Sequence, residues 1–251
     1  MTAVRITVLG NGAAGAEKQA LALSARLRRH LQRAGAAVRA DIDGSTSSSL
    51  VHVPLLDSAF YQRLPPALQF VGARLWRDPF FGYAATAEHK RMLIGGERRE
   101  KRVIIGCGRS TVALCAALGQ SWASVDNVFN IQIQHPRIGI DLFDAVITPR
   151  HDLAGTTKLP PNVYPTYGTV CLINEETLQA QGKLWNYRFE PYIAGRHVRI
   201  AWLIGGPCRG FAFSEANAEE MTSQVLRLIE QHQPNASLFV TFSRRTPSNA
   251  R

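Results

Sequence analysis

The chain has 251 residues, 45% of them hydrophobic, and 29 Lys and Arg against 19 Asp and Glu give a formal charge of +10. That length and apolar content suffice for one large or two small cores and exclude a disordered or fibrous chain, while no stretch approaches the roughly 18 uninterrupted apolar residues of a membrane span. The positive balance selects anionic partners, a phosphorylated small molecule or an anionic membrane surface, ahead of nucleic acid, for which no RNP, zinc-finger or KH signature is present.

The opening MTAVRITVLG runs directly into a glycine loop, without the charged start and cleavage site of a signal peptide. Residues 4–9 read as a buried strand, GNGAAG as the loop after it, and residues 17–34 as an amphipathic helix carrying Leu21, Leu27 and Leu31. A second strand is expected at 37–42, followed by a flexible DGSTSSS break. Residues 55–83 are aromatic-rich and helical in pattern, interrupted by Pro65 and Pro66. A strand at 101–106, a second glycine loop GCGRST and a helix at 111–118 repeat the first unit. Short strands follow at 128–134 and 143–148, closed by HPR and PRHD.

Residues 153–195 are rich in Pro, Asn, Tyr and Gly and read as a crossover linker with one helix near 175–182. A strand at 198–204, the loop GGPCRGF, a helix from 214 to about 232 and a strand at 237–242 restate the β-loop-α-β pattern. Strands alternating with helices predict an α/β fold with parallel sheets. The expected division is a first Rossmann-like domain with its linker over 1–191 and the opening β-α-β part of a second over 195–251. The four cysteines, Cys107, Cys115, Cys171 and Cys208, lack CxxC or metal-ligand spacing and read as free thiols in a reducing cytoplasm, with no metal site expected.

Gly10, Gly12 and Gly15 satisfy the dinucleotide fingerprint between a strand and a helix, where backbone N–H groups can face a pyrophosphate. The acids that would hold a ribose, Asp41 and Asp43, lie beyond the usual spacing of about 20 residues. The same glycines also serve a bare strand-to-helix turn. GCGRST places Arg109 and two hydroxyls at another helix start, and GGPCRGF adds Gly205, Gly206 and Arg209 past a third strand. His135, Arg137, Arg150, His151 and Asp152 fall at the same strand ends, where open α/β sheets bind ligands. His151 beside Asp152 suits a general base, and equally a solvated loop histidine. The stretch with Phe70, Leu75, Trp76, Phe80 and Phe81 beside Arg74 and Arg77 reads first as a core helix and second as a face resting on a bilayer.

VLGNGAAGAEKQALALSARL, IIGCGRSTVALCAAL, VFNIQIQHPRIGIDLFDAVITPRHD, IAWLIGGPCRGFAF and LFVTFSRRTP occur in the order seen in the mitochondrial fission, elongated-mitochondria family, which the chain resembles over nearly its whole length. The resemblance implies a GT-B-type glycosyltransferase architecture of two Rossmann-like domains, the second incomplete, with a nucleotide-sugar donor as co-substrate and no other cofactor. It implies that Gly205, Gly206, Arg209, Arg244 and Arg245 face the donor diphosphate, whose oxygens match the arginine fork. Gly12, Arg109, Arg137 and His151 would face the acceptor.

The sequence departs from the family pattern at Asn11, Ala16, Ser110, Arg150 and Cys208. The resemblance also implies truncation after the second strand of the second domain, and with it an inactive transferase, cytoplasmic or peripheral at the inner face of the membrane. Two other classes stay open: an NAD(P)-type oxidoreductase built on GNGAAG, and a non-catalytic binding or adaptor protein.

Overall fold

The computed structural model describes residues 3–38, 49–95, 100–123, 127–155, 158–195, 198–207 and 210–250. The chain divides into two compact units, Met1–Leu172 and Ile173–Arg251, a boundary that assigns the helix following Asn174 to the second unit.

The first unit opens with β1 (Val4–Gly10) and α1 (Ala14–Arg33), then β2 (Ser49–His52) and three helices, α2 (Ala59–Arg63), α3 (Pro66–Trp76) and α4 (Ala87–Ile94). β3 (Lys101–Cys107), α5 (Val112–Leu118), β4 (Val128–Ile133), β5 (Ala145–Pro149) and β6 (Val163–Thr166) complete it. The six strands form one sheet in the order β2-β1-β3-β4-β5-β6, and every pairing is parallel. This is the doubly wound, Rossmann-like α/β architecture expected from the alternation of elements. The chain order reverses at β1 and β3, so the crevice between their loops is the topological switch point.

Parallel strands need cover on both faces, and alternate residues supply it. Val103 and Ile105 of β3 join Ile6, Val8, Ile131 and Ile133 in a core covered by Ala20 and the leucines of α1. Ile104 points the other way, into a core with Phe70 and Ala73 of α3, Leu93 of α4 and the whole of α5. Burying a side chain of this size stabilises by about 1.5–3 kcal/mol.

Several expected boundaries move. Of the strand expected at 37–42, the described part is a parallel bridge from Val38 to Val4, and β2, which the sequence reading places in no strand, pairs along β1 from Thr7↔Ser49. The rest of that stretch, with Asp41 and Asp43, lies outside the described residues. α4 forms in a stretch to which the sequence pattern assigns no element, β6 forms within the expected linker, and β6 tolerates Pro165 because it is an edge strand.

At the opposite end of the sheet from the loops, Glu100 is buried between two arginines, 3.1 Å from Arg5 and 4.0 Å from Arg102. The arginines also donate to the carbonyls of Gly95 and Ile94 at the end of α4.

The second unit contains α6 (Glu175–Ile193), β7 (Val198–Ile204), α7 (Glu215–His232) and β8 (Ala236–Phe242), with β7 and β8 paired in parallel. α6 runs well past the expected 182. It packs on β8 through Phe189, whose ring meets Phe239 edge-on at 5.2 Å.

Removing the acid from a buried ion pair leaves an uncompensated cation, so Glu100→Ala is expected to lower unfolding free energy by about 3 kcal/mol in a urea titration. An unchanged midpoint would show that the cluster is not a fastener of β1, β3 and α4.

Candidate functional site

The loop after β1 has the form of an anion cradle, and the chain fills it itself. The backbone N–H groups of Asn11 and Gly12 donate to Glu17 Oε1 at 3.0 and 2.7 Å, and that of Ala13 to Asn11 Oδ1 at 2.9 Å. Glu17 stands in the first turn of α1, where the helix dipole favours a negative charge and Ala13 provides no side-chain cap. Gly12, at φ 74°, makes the turn possible. Across the switch point, Asn11 Nδ2 donates to the carbonyl of Cys107 at 3.0 Å. Gly108, at φ 87°, has no room for a side chain, because a Cβ there would stand 2.7 Å from that same nitrogen.

The second loop is held from beneath. Buried Tyr83 donates its hydroxyl to the carbonyl of Ser110 at 2.7 Å and accepts from the N–H of Leu114 at 3.2 Å, fixing the 3-10 turn Arg109–Thr111 at the entry to α5. Burial pushes the phenol above its ordinary range. Arg109 remains exposed and donates to the carbonyl of Arg63 at 3.4 Å. Cys107 and Cys115 are free, and burial pushes both thiols up to about 12, which removes them as nucleophiles. Cys171 is exposed, and Cys208 lies outside the described residues.

The loop after β4 is strained. Gln134 and Arg137 both adopt left-handed φ, 71° and 60°, a conformation that costs non-glycine residues energy and clusters at functional sites. The N–H of Arg137 donates to His135 Nδ1 at 3.1 Å, which leaves Nε2 as the protonated nitrogen of the neutral ring. Burial first, then the charge of Arg137, pulls His135 below its ordinary value of 6.5, with Asp152 opposing. Asp152 lies 3.8 Å from Arg137 and 4.0 Å from His151 Nε2, both ion-pair distances beyond hydrogen-bond reach. His151 is largely exposed. Arg150 stacks over Tyr167, 4.1 Å from the ring centre.

Beneath these loops, buried Gln132 Oε1 and Thr148 Oγ1 have no hydrogen-bond partner. Such groups are rare enough in folded proteins to call for a ligand or water. Composition had pointed to neither residue; only their position at the ends of β4 and β5 distinguishes them. Asn130, in the same NIQIQHPR stretch, is fully occupied: it donates to Cys115 and Leu142 carbonyls, and it accepts from Asp144 N–H.

In the second unit, the residues expected at the donor diphosphate meet through their backbones. Thr246 Oγ1 donates to the Gly205 carbonyl at 2.6 Å, and Ser243 N–H to that of Ile204 at 2.9 Å. Gly206 sits so close to the turn after β8 that a Cβ would stand 2.1 Å from the carbonyl oxygen of Arg245. Arg244 and Arg245 are exposed, and no described residue engages either guanidinium. Arg209 lies outside the described residues. Among the described residues no group of three His, Cys, Asp or Glu could hold a metal ion, and no helix is long and apolar enough to cross a membrane.

Parallel strands in switch-point order, with glycine and arginine loops at their carboxyl ends, define a Rossmann-like α/β protein of the doubly wound class. The family model of mitochondrial fission ELM1 matches residues 14–251, and the chain belongs to that family. It is 27% identical over 169 residues to the mitochondrial fission protein ELM1 of Arabidopsis thaliana, covering 58% of this chain and 37% of the relative. The chain thus spans little more than a third of that relative's length. No solved structure matches it.

Two outcomes follow from the loop geometry. Glu17→Ala removes the acceptor for two N–H groups, and a loss of about 1.5 kcal/mol is expected in chemical denaturation, with Glu17→Gln intermediate. His135 gives a pH signature. Because its folded pKa is lowered, the unfolded chain takes up a proton first as pH falls through 6.5, and stability declines toward acid. His135→Asn should flatten that part of a stability profile measured from pH 8 to pH 5; an unaltered slope would mean the ring is not shielded as described.

Proposed function

We propose that the protein binds a nucleoside diphosphate compound, in the manner of a GT-B-type glycosyltransferase using a nucleotide-sugar donor. The observation that carries the reading is the joint loop of the second unit, where Gly205 and Gly206 interlock with Ser243–Thr246 and leave Arg244 and Arg245 exposed, with no described residue engaging either guanidinium. Two neighbouring guanidiniums on a rigid backbone can grip phosphate oxygens at little cost in ordering. Arg209, in the loop that follows Gly206, would add a third. In the first unit, Gly12, Arg109, Arg137 and His151 line strand-end loops suited to an acceptor, with the orphaned Gln132 and Thr148 beneath.

The dinucleotide reading of GNGAAG is disfavoured by Glu17, which occupies the N–H groups a pyrophosphate would need. A non-catalytic binding role is favoured by one feature. His151 and Asp152 are the candidate acid-base pair, and they stand too far apart to orient each other. Membership of a family named for mitochondrial fission is compatible with such a role, as is a cytoplasmic location.

Titration with UDP, GDP and UDP-sugars, followed by heat or thermal shift, tests the proposal, with NADH as the contrasting ligand. Hydrogen bonds to charged groups contribute roughly 1.5–3 kcal/mol each, so Arg244→Ala with Arg245→Ala should weaken diphosphate binding by about tenfold or more. Binding of NADH alone, or a diphosphate affinity indifferent to both arginines, would overturn it.

A further inference from the structure

α3 is apolar on two opposite faces. Phe70 and Ala73 are 8% and 1% exposed and pack into the core above α5. Leu68, Val71 and Leu75, spaced i, i+3 and i+7, form a second stripe on the far side, and Leu75 is 71% exposed. A helix apolar all round is expected to be buried all round, and exposed apolar patches mark interaction surfaces.

The stripe does not end with the helix. Trp76, 67% exposed, stacks on Phe81 at 5.1 Å; Phe81 meets Tyr61 edge-on at 5.8 Å, and Tyr61 meets Phe60 at 5.2 Å. The packing is specific, since a Cβ on Gly72 would fall 2.2 Å from the Phe81 ring. An apolar belt therefore runs from Phe60 to Trp76 on one side of the first unit.

Charge identifies what covers it. Arg63, Arg74 and Arg77 are exposed in the same segment. The two acids there are spent on local bonds, Asp57 accepting from Gln62 and Asp78 from the N–H of Phe80. An apolar stripe with a tryptophan at its end and a fringe of arginines is the composition of helices that lie in the interface of an anionic bilayer, the apolar side chains entering the acyl boundary and the cations meeting phosphate headgroups. At 11 residues α3 is too short to span.

We propose that the outer face of α3, with Phe60 and the neighbouring arginines, docks the protein on an anionic lipid surface. The Arg109–Arg63 hydrogen bond joins this face to the loop after β3, so docking would bring that loop to the membrane. The proposal stands apart from the nucleotide reading and is tested without any nucleotide.

The test is co-sedimentation of the full chain with vesicles of phosphatidylcholine alone and of phosphatidylcholine with phosphatidylglycerol. Binding is expected to the anionic vesicles only and to fall with added salt. Leu75→Glu should reduce it by about tenfold or more, and Arg63→Gln and Arg74→Gln by about fivefold each, while Tyr187→Ser in the second unit leaves it unchanged. All four side chains are exposed, so the variants should unfold at the wild-type temperature, which a thermal scan checks. Absence of binding to anionic vesicles, or full binding by Leu75→Glu, would overturn the proposal. So would a wild-type dimer that Leu75→Glu dissociates, because the surface would then belong to a second copy of the chain.

Discussion

The first unit depends on a strand that has no solvent face. β3 lies between β1 and β4 with Val103 and Ile105 in one core and Ile104 in the other, and its far end carries the joints of the neighbouring loops. Asn11 reaches the carbonyl of Cys107 from the β1 side, and Gln132 Nε2 lies 3.5 Å from that of Gly108 on the β4 side. Gly106 admits this arrangement because a side chain there would collide with Gln132 Oε1. The rim of the sheet is therefore a set of loops pinned to one buried strand, which is the rigidity that precise placement of a ligand requires.

What could be read from the sequence followed the strength of the periodic signal. β3, β4, β7 and β8 are strands of six or seven residues rich in apolar side chains, and α1 carries leucines at helical spacing over 20 residues. β2 offers four residues, SLVH, of which Val51 is buried and Leu50 exposed, behind a serine-rich run that gives no hint of where pairing begins. α4 fully buries one side chain, Leu93, with Met92 and Ile94 packed against the core at partial exposure. Weak local signals of this sort are resolved by tertiary pairing, which a single strand or helix pattern does not contain.

The site residues divide by a different rule. Within SRRTP, Thr246 is buried and binds two backbone carbonyls, whereas its two arginine neighbours face outward. Within NIQIQHPR, Asn130 ties α5 to β5, Gln132 supports a loop, and His135 caps a strained turn. Residues of one chemical type in one short motif thus divide between scaffold and site, and the strand period that sorts them acts through burial. The same applies to the aromatic stretch: Phe70 and Phe80 belong to the core, as first read, while Leu75 and Trp76 do not.

Glu17 has one more consequence. Its carboxylate is tethered five residues from Gly12 and touches the loop at 2.7 Å, so it acts as a built-in competitor. A tethered group on a short link is present at an effective concentration on the order of millimolar. Any free anion approaching the GNGAAG loop must outbid a resident that is never diluted. The carboxylate of Glu17 thus stands where an incoming anion would have to stand, whereas Arg244 and Arg245 carry no such resident acid among the described residues.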